Sequence, residues 1–495
     1  MNLPNLFAPS LKQAADAPGL EFNGEVFTFG RLDEDSDRLA AWLLSLGVEP
    51  GDRVAVYLKN SPSLVLIYLA AVKAGLIFTP INILYRRDEI AHILADAEPK
   101  IVFADPESQD LVASAIAGSG SRLLLTSEIE QAIARTQRPA TLPAPADDDV
   151  AALVYTSGTT GRPKGAMLTQ ANFAANALNL IEAWRMTADD RLLLTLPLFH
   201  VHGLGNGLHT WLALGYRLRL TERFRKETIV DELLDFRPTV FFGVPTMYER
   251  LLETPREVAR EIGGSLRLFV SGSAPLPAAT HRKFEDLFGS VILERYGMSE
   301  TLMNSGNPHD GERRPGSVGL PLPNISIRIC DETDAEAVNG QTGELQIKGP
   351  NVFSGYWRQD SATKEAFTAD GFFRSGDLGM RGDDGYITLQ GRGKELIISG
   401  GFNVYPREIE EFLAKQPGVS EAAVVGVPDP LKGERPLAFI VSSNPIDADA
   451  LGAACREGLA SFKNPTAFVQ VAALPRNALG KVQKHLLPRP QSTSS

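Results

Sequence analysis

Short β-branched and apolar runs alternate with helix-spaced apolar positions through the first 150 residues. Arg53–Leu58 predicts a strand, Ser63–Ala74 a helix, Ile77–Thr79 an extended segment and Ile90–Ala95 a further helix. Lys100–Ala104 reads as a strand of the kind buried on both faces of a parallel sheet. The rhythm returns at Thr239–Val244 and Leu266–Ser271, both predicted as buried strands running into glycine loops. Loops after the carboxyl ends of strands are where open α/β sheets place ligands. From about residue 316 the pattern becomes richer in strands and turns, with Ile325–Ile329, Gly343–Ile347 and Tyr386–Leu389 extended. After Gly391 a smaller α+β pattern begins: helix Glu408–Leu413, strands Glu421–Val425 and Leu437–Val441, helix Asp447–Ala460.

The expected fold class is therefore α/β. A large N-terminal domain, residues 1–391, combines α/β subdomains with a β-rich subdomain; 392–394 is a hinge, 395–490 a small mobile C-terminal α+β domain and 491–495 a disordered tail. The 44 glycines and 33 prolines punctuate the apolar runs rather than forming low-complexity tracts.

Composition narrows the class further. With 43% hydrophobic and 22% charged residues the chain has the balance of a globular protein and not of a disordered one. Forty-nine basic against 60 acidic residues give a net charge of −11, which argues against a general nucleic-acid binder. The most apolar stretch, Leu64–Val72, is nine residues long, so no transmembrane helix is expected. The N-terminus lacks a signal-peptide pattern, and Cys330 and Cys455 are too few for a disulfide framework or a metal site of their own. A cytoplasmic location is the expectation.

The chemistry concentrates in Tyr155-Thr156-Ser157-Gly158-Thr159-Thr160-Gly161-Arg162-Pro163-Lys164-Gly165, which packs hydroxyls, glycines and a lysine into one loop. Glycines admit phosphate oxygens to the backbone N–H groups, hydroxyls donate further bonds, and a lysine adds a point charge. The spacing is not that of a P-loop, since Lys164 is followed by Gly165 and the flanks, Ala151–Val154 and Ala166–Thr169, read as strands. On composition alone a plain hairpin turn would serve as well.

This loop resembles the phosphate-binding signature of the AMP-forming, adenylate-forming enzymes, which include acyl-CoA synthetases, luciferases and peptide-synthetase adenylation domains. The resemblance continues in order through Phe199-His200-Val201-His202-Gly203, Ser271-Gly272-Ser273-Ala274-Pro275 and Glu294-Arg295-Tyr296-Gly297-Met298-Ser299-Glu300. It extends to Ser375-Gly376-Asp377, Gly391-Arg392-Gly393-Lys394-Glu395 and Asn477-Ala478-Leu479-Gly480-Lys481. The stretches 293–298, 303–304 and 401–406 are most similar to malonyl-CoA synthetases.

The resemblance implies an enzyme that joins a carboxylate to the α-phosphate of ATP, releases pyrophosphate, and lets the thiol of CoA displace AMP. Thr156, Ser157, Gly158, Thr159, Thr160 and Lys164 are then expected on the β- and γ-phosphates, and Glu300 on Mg²⁺. Ser299 is expected near the α-phosphate. Tyr296 is expected to stack on adenine, with Gly272, Ser273 and Ala274 along its other face; Glu294, Gly297 and Met298 complete the nucleotide set. Asp377 and Arg392 are expected at the ribose. Lys481 bridges carboxylate and α-phosphate in this family, and the small domain turns about Lys394 to bring Gly400 and Gly401 to a CoA tunnel. Taken singly, Glu300 reads equally as a surface carboxylate and Lys481 as part of a basic patch with Arg476 and Lys484.

The acid is addressed by Arg295, which stands where many relatives have glycine beside the acyl pocket. A buried guanidinium is costly unless an anion meets it in bidentate geometry. Arg250, His202 and Met303 are the other expected acid-binding residues, with His202 also expected to act in catalysis. Together they suggest malonate or methylmalonate. The alternatives are that Arg295 pairs with Glu294, and Arg250 with Glu249 or solvent. Leu302 and Leu204-Gly205-Asn206-Gly207 leave a medium- or long-chain fatty acid as the competing substrate. A nucleotide-binding scaffold is the non-enzymatic reading, though one would be expected to lack Lys164, Glu300 or Lys481. No nucleic-acid or integral-membrane partner is expected.

Overall fold

The computed structural model describes all residues except 157–162, 400–401, 430–431, 460, 479 and 489–495. Two compact units result. The first comprises residues 1–315, 319–326 and 347–373; the second comprises 316–318, 327–346 and 374–495.

The first unit is built on two sheets. In the seven-stranded sheet the order is Gly355–Tyr356, Lys164–Thr169, Val150–Thr156, Ile77–Pro80, Arg53–Tyr57, Ile101–Ala104 and Arg122–Leu125. The last five-strand run is parallel, and the two strands at the other edge are antiparallel. Ile101–Ala104 is buried at every position, as its uniformly apolar sequence requires of a strand covered on both faces. Between Arg53–Tyr57 and Ile77–Pro80 runs helix Pro62–Lys73, started by Ser61, whose hydroxyl accepts from Leu64 N at 3.3 Å, with proline in the first turn.

The nine-stranded sheet carries the order Leu320–Pro321, Leu302–Gly306, Leu293–Met298, Leu268–Ser271, Val240–Gly243, Arg191–Leu194, Arg217–Leu220, Pro18–Phe22 and Glu25–Thr28. Its middle strands are parallel, so Gly243, Ser271 and Met298 all lie at carboxyl ends of neighbouring strands. One side is covered by an aromatic cluster in which Phe241, Tyr248, Phe269, Phe284 and Phe288 interlock. Helix Phe29–Ser45, the π-helical turn His202–Leu208 and helix Leu3–Ala8 are not anticipated by the periodicity. His202–Leu208 is rich in glycine and reads as a loop, yet every residue in it is buried.

The second unit contains the four-stranded sheet Ser326–Cys330, Gly343–Lys348, Phe373–Arg381 and Ile387–Arg392. Its other sheet orders Phe402–Val404, Ile397–Ser399, Gly433–Val441 and Glu421–Asp429, with Phe468–Val471 added in parallel to Gly433–Val441. Helices Pro406–Leu413 and Ala448–Gly458 cover this sheet through Ile409, Leu413, Leu451 and Cys455. Both cysteines are buried and free. Among the described residues no helix is long and apolar enough to cross a membrane.

Candidate active site

In the first unit the strands Val150–Thr156 and Lys164–Thr169 form an antiparallel pair, with Thr156 opposite Lys164. The expected phosphate residues Ser157, Gly158, Thr159 and Thr160 lie outside the described residues. The two that flank them converge on Glu300. Thr156 Oγ1 donates to Glu300 Oε1 at 3.2 Å, and Tyr356 Oη donates to the same oxygen at 3.2 Å. Lys164 Nζ stands 5.1 Å from the centre of the Tyr356 ring. Glu300 is only 7% exposed, and its carbonyl accepts from Phe353 N at 2.8 Å. It is therefore no surface carboxylate. Among the described residues no group of three His, Cys, Asp or Glu could hold a metal by itself. One buried carboxylate with a lysine near it, joined through Tyr356, fits Mg²⁺, which takes few protein ligands and keeps phosphate oxygens and water.

The carboxyl ends of Leu268–Ser271 and Leu293–Met298 place Gly272, Ser273 and Ala274 near Tyr296–Ser299. Tyr296 is buried, with its hydroxyl 3.8 Å from Met298 Sδ, while Met298 and Ser299 are half-buried. Gly297 sits at a β-bulge: a methyl group there would overlap the Leu302 carbonyl and lie 2.5 Å from Met303 Cε. Glu294 points the other way from Arg295 along the strand, and its Oε1 accepts from Leu276 N at 3.0 Å, which ties down the 272–276 loop. Ser273 holds a left-handed φ of 69°, and its hydroxyl is 3.2 Å from His202 Nδ1. Met303 is buried and donates its N–H to Asn176 Oδ1 at 3.1 Å.

Arg295 is 3% exposed, and among the described residues its Nε and Nη2 have no hydrogen-bond partner. No ion pair with Glu294 or any other acid forms at Arg295 among those residues. Burial pushes its pKa down to about 9, and the Tyr248 phenol opposes the shift. Arg295 in turn helps burial hold His202 well below the usual imidazole range and His200 at about 3. The His202 ring lies against Phe242, and its buried Nε2 also lacks a partner. Arg250 is placed differently: it is exposed on helix Pro245–Leu251, about 200° around the axis from buried Tyr248.

The remaining expected residues belong to the second unit. Asp377 and Arg392 face one another across paired strands, with Arg392 Nε 2.7 Å from Asp377 Oδ1. Lys481 closes a turn whose backbone is held by Asn477: Asn477 N donates to Lys481 O, and Lys481 N donates to Asn477 Oδ1, both at 2.9 Å. The side chain keeps an exposed part, yet its pKa is lowered, first by the protein crowding out solvent and then by Arg392; Asp377 and Glu395 oppose the shift. Lys394 lies in the single turn Gly393–Glu395, and Lys484 Nζ bridges Glu395 and Glu410 at 3.0 and 2.7 Å. Gly400 and Gly401 lie outside the described residues.

Three residues at these sites are not singled out by the sequence: Tyr356, Tyr248 and Asn176. Gly355-Tyr356-Trp357 offers the one usable signal, an aromatic pair after glycine at the start of a helix-poor stretch.

Residues 7–357 match the AMP-binding enzyme family, and residues 408–481 match the AMP-binding enzyme C-terminal domain. The chain is 38% identical to the sulfoacetate–CoA ligase of Cupriavidus necator, over 97% of this chain and 96% of that protein. It is 32% identical to the malonate–CoA ligase of Arabidopsis thaliana, over 98% of this chain and 88% of that one. The crystal structure of ATP-bound MatB from Rhodopseudomonas palustris superposes with a TM-score of 0.93 at 43% identity, covering 98% of each chain.

Proposed function

The chain belongs to the AMP-binding enzyme family as an AMP-forming acid–CoA ligase, and we propose that the acid it activates is malonate or methylmalonate. ATP and CoA are the co-substrates the family implies. The observation that carries the substrate reading is Arg295, a buried guanidinium whose Nε and Nη2 find no partner among the described residues. Arginine presents paired N–H donors that match a carboxylate. A substrate with a second carboxylate supplies the missing counter-ion, whereas a fatty-acyl tail would leave the charge buried against hydrocarbon.

In this reading one carboxylate of the acid attacks the α-phosphorus of ATP and pyrophosphate leaves. The CoA thiolate then attacks the acyl carbon of the adenylate, and AMP leaves. Lys164 and Thr156 hold the outer phosphates, Tyr296 the adenine, and Asp377 with Arg392 the ribose. Glu300 would hold Mg²⁺, which when bound offsets phosphate charge. Lys481 meets the two oxygens that must approach one another in the first step, where a fixed positive charge lowers the barrier most. The small domain turns at 392–394, with Lys394 as pivot, between the two steps.

Sulfoacetate is a second reading, favoured by the relative at 38% identity, because a sulfonate would meet the same guanidinium. CoA-dependent AMP release measured with malonate, methylmalonate, sulfoacetate, acetate, hexanoate and palmitate separates these acids. Arg295→Gly is expected to lose malonate activity about a hundredfold or more and to tolerate longer monocarboxylates. Unchanged malonate kinetics in that variant would refute the clamp.

A further inference from the structure

Tyr356 touches both charged poles of the nucleotide half of the site. Its hydroxyl donates to Glu300 Oε1 at 3.2 Å, and its ring face takes the Lys164 ammonium 5.1 Å from the centroid. A cation this close to an aromatic face is attracted by the ring quadrupole, and a charge-assisted hydrogen bond fixes a carboxylate oxygen more firmly than a neutral one. One phenol thus fixes where both charges stand.

The backbone explains why the contacts coincide. Gly355–Tyr356 is a two-residue edge strand paired antiparallel with Lys164–Thr169, Tyr356 opposite Ala166. Lys164 lies two positions along from Ala166, on the same face of the sheet. Trp357 N donates to Gly165 O at 2.8 Å, and Phe353 N donates to Glu300 O at 2.8 Å, so the segment is fastened to Lys164's strand at one end and to Glu300 at the other. Phe353 meets the Tyr356 ring edge-on at 4.9 Å and is itself backed by Phe367 and Phe373. Tyr356 N donates to Thr363 Oγ1 at 2.9 Å. Residues fixed from this many sides are pre-organised to hold others.

We infer that Tyr356 is a positioning residue of the adenylation step: its hydroxyl aims Glu300 at the metal, and its ring aims Lys164 at the phosphates. The inference rests on Glu300 being the metal carboxylate. It assigns the two functions to separable parts of one side chain. Tyr356→Phe removes the first and keeps the second; Tyr356→Leu removes both.

The test titrates Mn²⁺ by electron paramagnetic resonance into enzyme holding a non-hydrolysable ATP analogue, for wild type, Tyr356→Phe, Tyr356→Leu and Glu300→Gln. Tyr356→Phe is expected to weaken Mn²⁺ binding about tenfold and to raise the metal needed for half-maximal pyrophosphate exchange by a similar factor. Its affinity for the metal-free analogue and its rate of thioester formation from supplied acyl-AMP stay at the wild-type level. Tyr356→Leu additionally weakens the analogue itself. Unchanged Mn²⁺ affinity in Tyr356→Phe, beside a large loss in Glu300→Gln, overturns the inference and leaves Glu300's role standing. Equal loss of both half-reactions in Tyr356→Phe overturns it too, by showing a merely structural residue. Intact Mn²⁺ binding in Glu300→Gln removes the premise and the inference together.

Discussion

Gly272 and Arg295 compete for the same space: a methyl group on residue 272 would lie 2.5 Å from Arg295 Nε and 2.6 Å from Nη1. The glycine expected from the resemblance to lie along the adenine is thereby also a wall of the guanidinium. Gly272→Ala should push the guanidinium aside and lower kcat/KM for malonate, by about a hundredfold if the displacement reaches an ångström. In an Arg295→Gly background the same change should cost little, because its target is gone. A steady-state double-mutant cycle with malonate reads the coupling directly. Additive losses would show that the two residues act independently.

Lys481 sits on a turn fastened by Asn477, in a neighbourhood that lowers its pKa through burial and Arg392. Removing the ammonium should spare everything except the step that needs it. Lys481→Ala is expected to slow acyl-AMP formation by at least about 10²-fold, the usual loss of one pre-organised donor, and to spare thioester formation from supplied acyl-AMP. Pyrophosphate exchange and single-turnover thiolysis are the two measurements; equal loss in both would reject the assignment.

Four histidines held below their usual range set an acid limit on the fold: His202, His209 and His281 are buried and His200 half-buried. Loss of solvent lowers His200 and His209 from 6.5 to about 3, His202 well below 6.5 and His281 below 6.5. In the unfolded chain they take up protons below about pH 6.5, while in the folded chain they stay neutral. The unfolded state therefore binds more protons between about pH 6.5 and 3, and stability falls as pH falls through that window. Each imidazole contributes up to about 1.4 kcal/mol per pH unit once the unfolded form is protonated. His209→Gln should flatten the loss of Tm between pH 6.5 and 4.5 by about a quarter of the histidine share, measured by calorimetry. His209 stacks on Tyr68 and meets Phe173 edge-on, whereas the pocket histidines are His200 and His202. An unchanged slope would show that His209 does not gate the acid transition.

The sequence makes the catalytic strands legible because they are covered on both faces: Val240–Gly243 and Leu268–Ser271 are buried at every position and read as unbroken apolar runs into glycine. Single residues were harder to place. Glu300 and Lys481 look alike in sequence to any solvated charge; the ordered motifs around them suggest their roles. Arg295 is distinguished by its burial and, among the described residues, by Nε and Nη2 without a hydrogen-bond partner, properties of three-dimensional packing. Arg250 follows the pocket strand in sequence and is exposed on helix Pro245–Leu251. Tyr356 escapes because a two-residue strand has no periodicity to detect, and its partners Glu300 and Lys164 lie far away along the chain. His202–Leu208 reads as a loop because glycines dominate it, although wide helical winding buries it completely.

The unanswered guanidinium at Arg295 also ties folding to metabolism. An anion that settles on it binds the folded chain and not the unfolded one, so its free concentration enters the folding equilibrium as RT ln(1 + [L]/Kd). Arg295 is a buried charge in the folded chain, and an anion bound to it would offset that cost. Survival of this protein against proteolysis should therefore rise and fall with the supply of the acid it consumes.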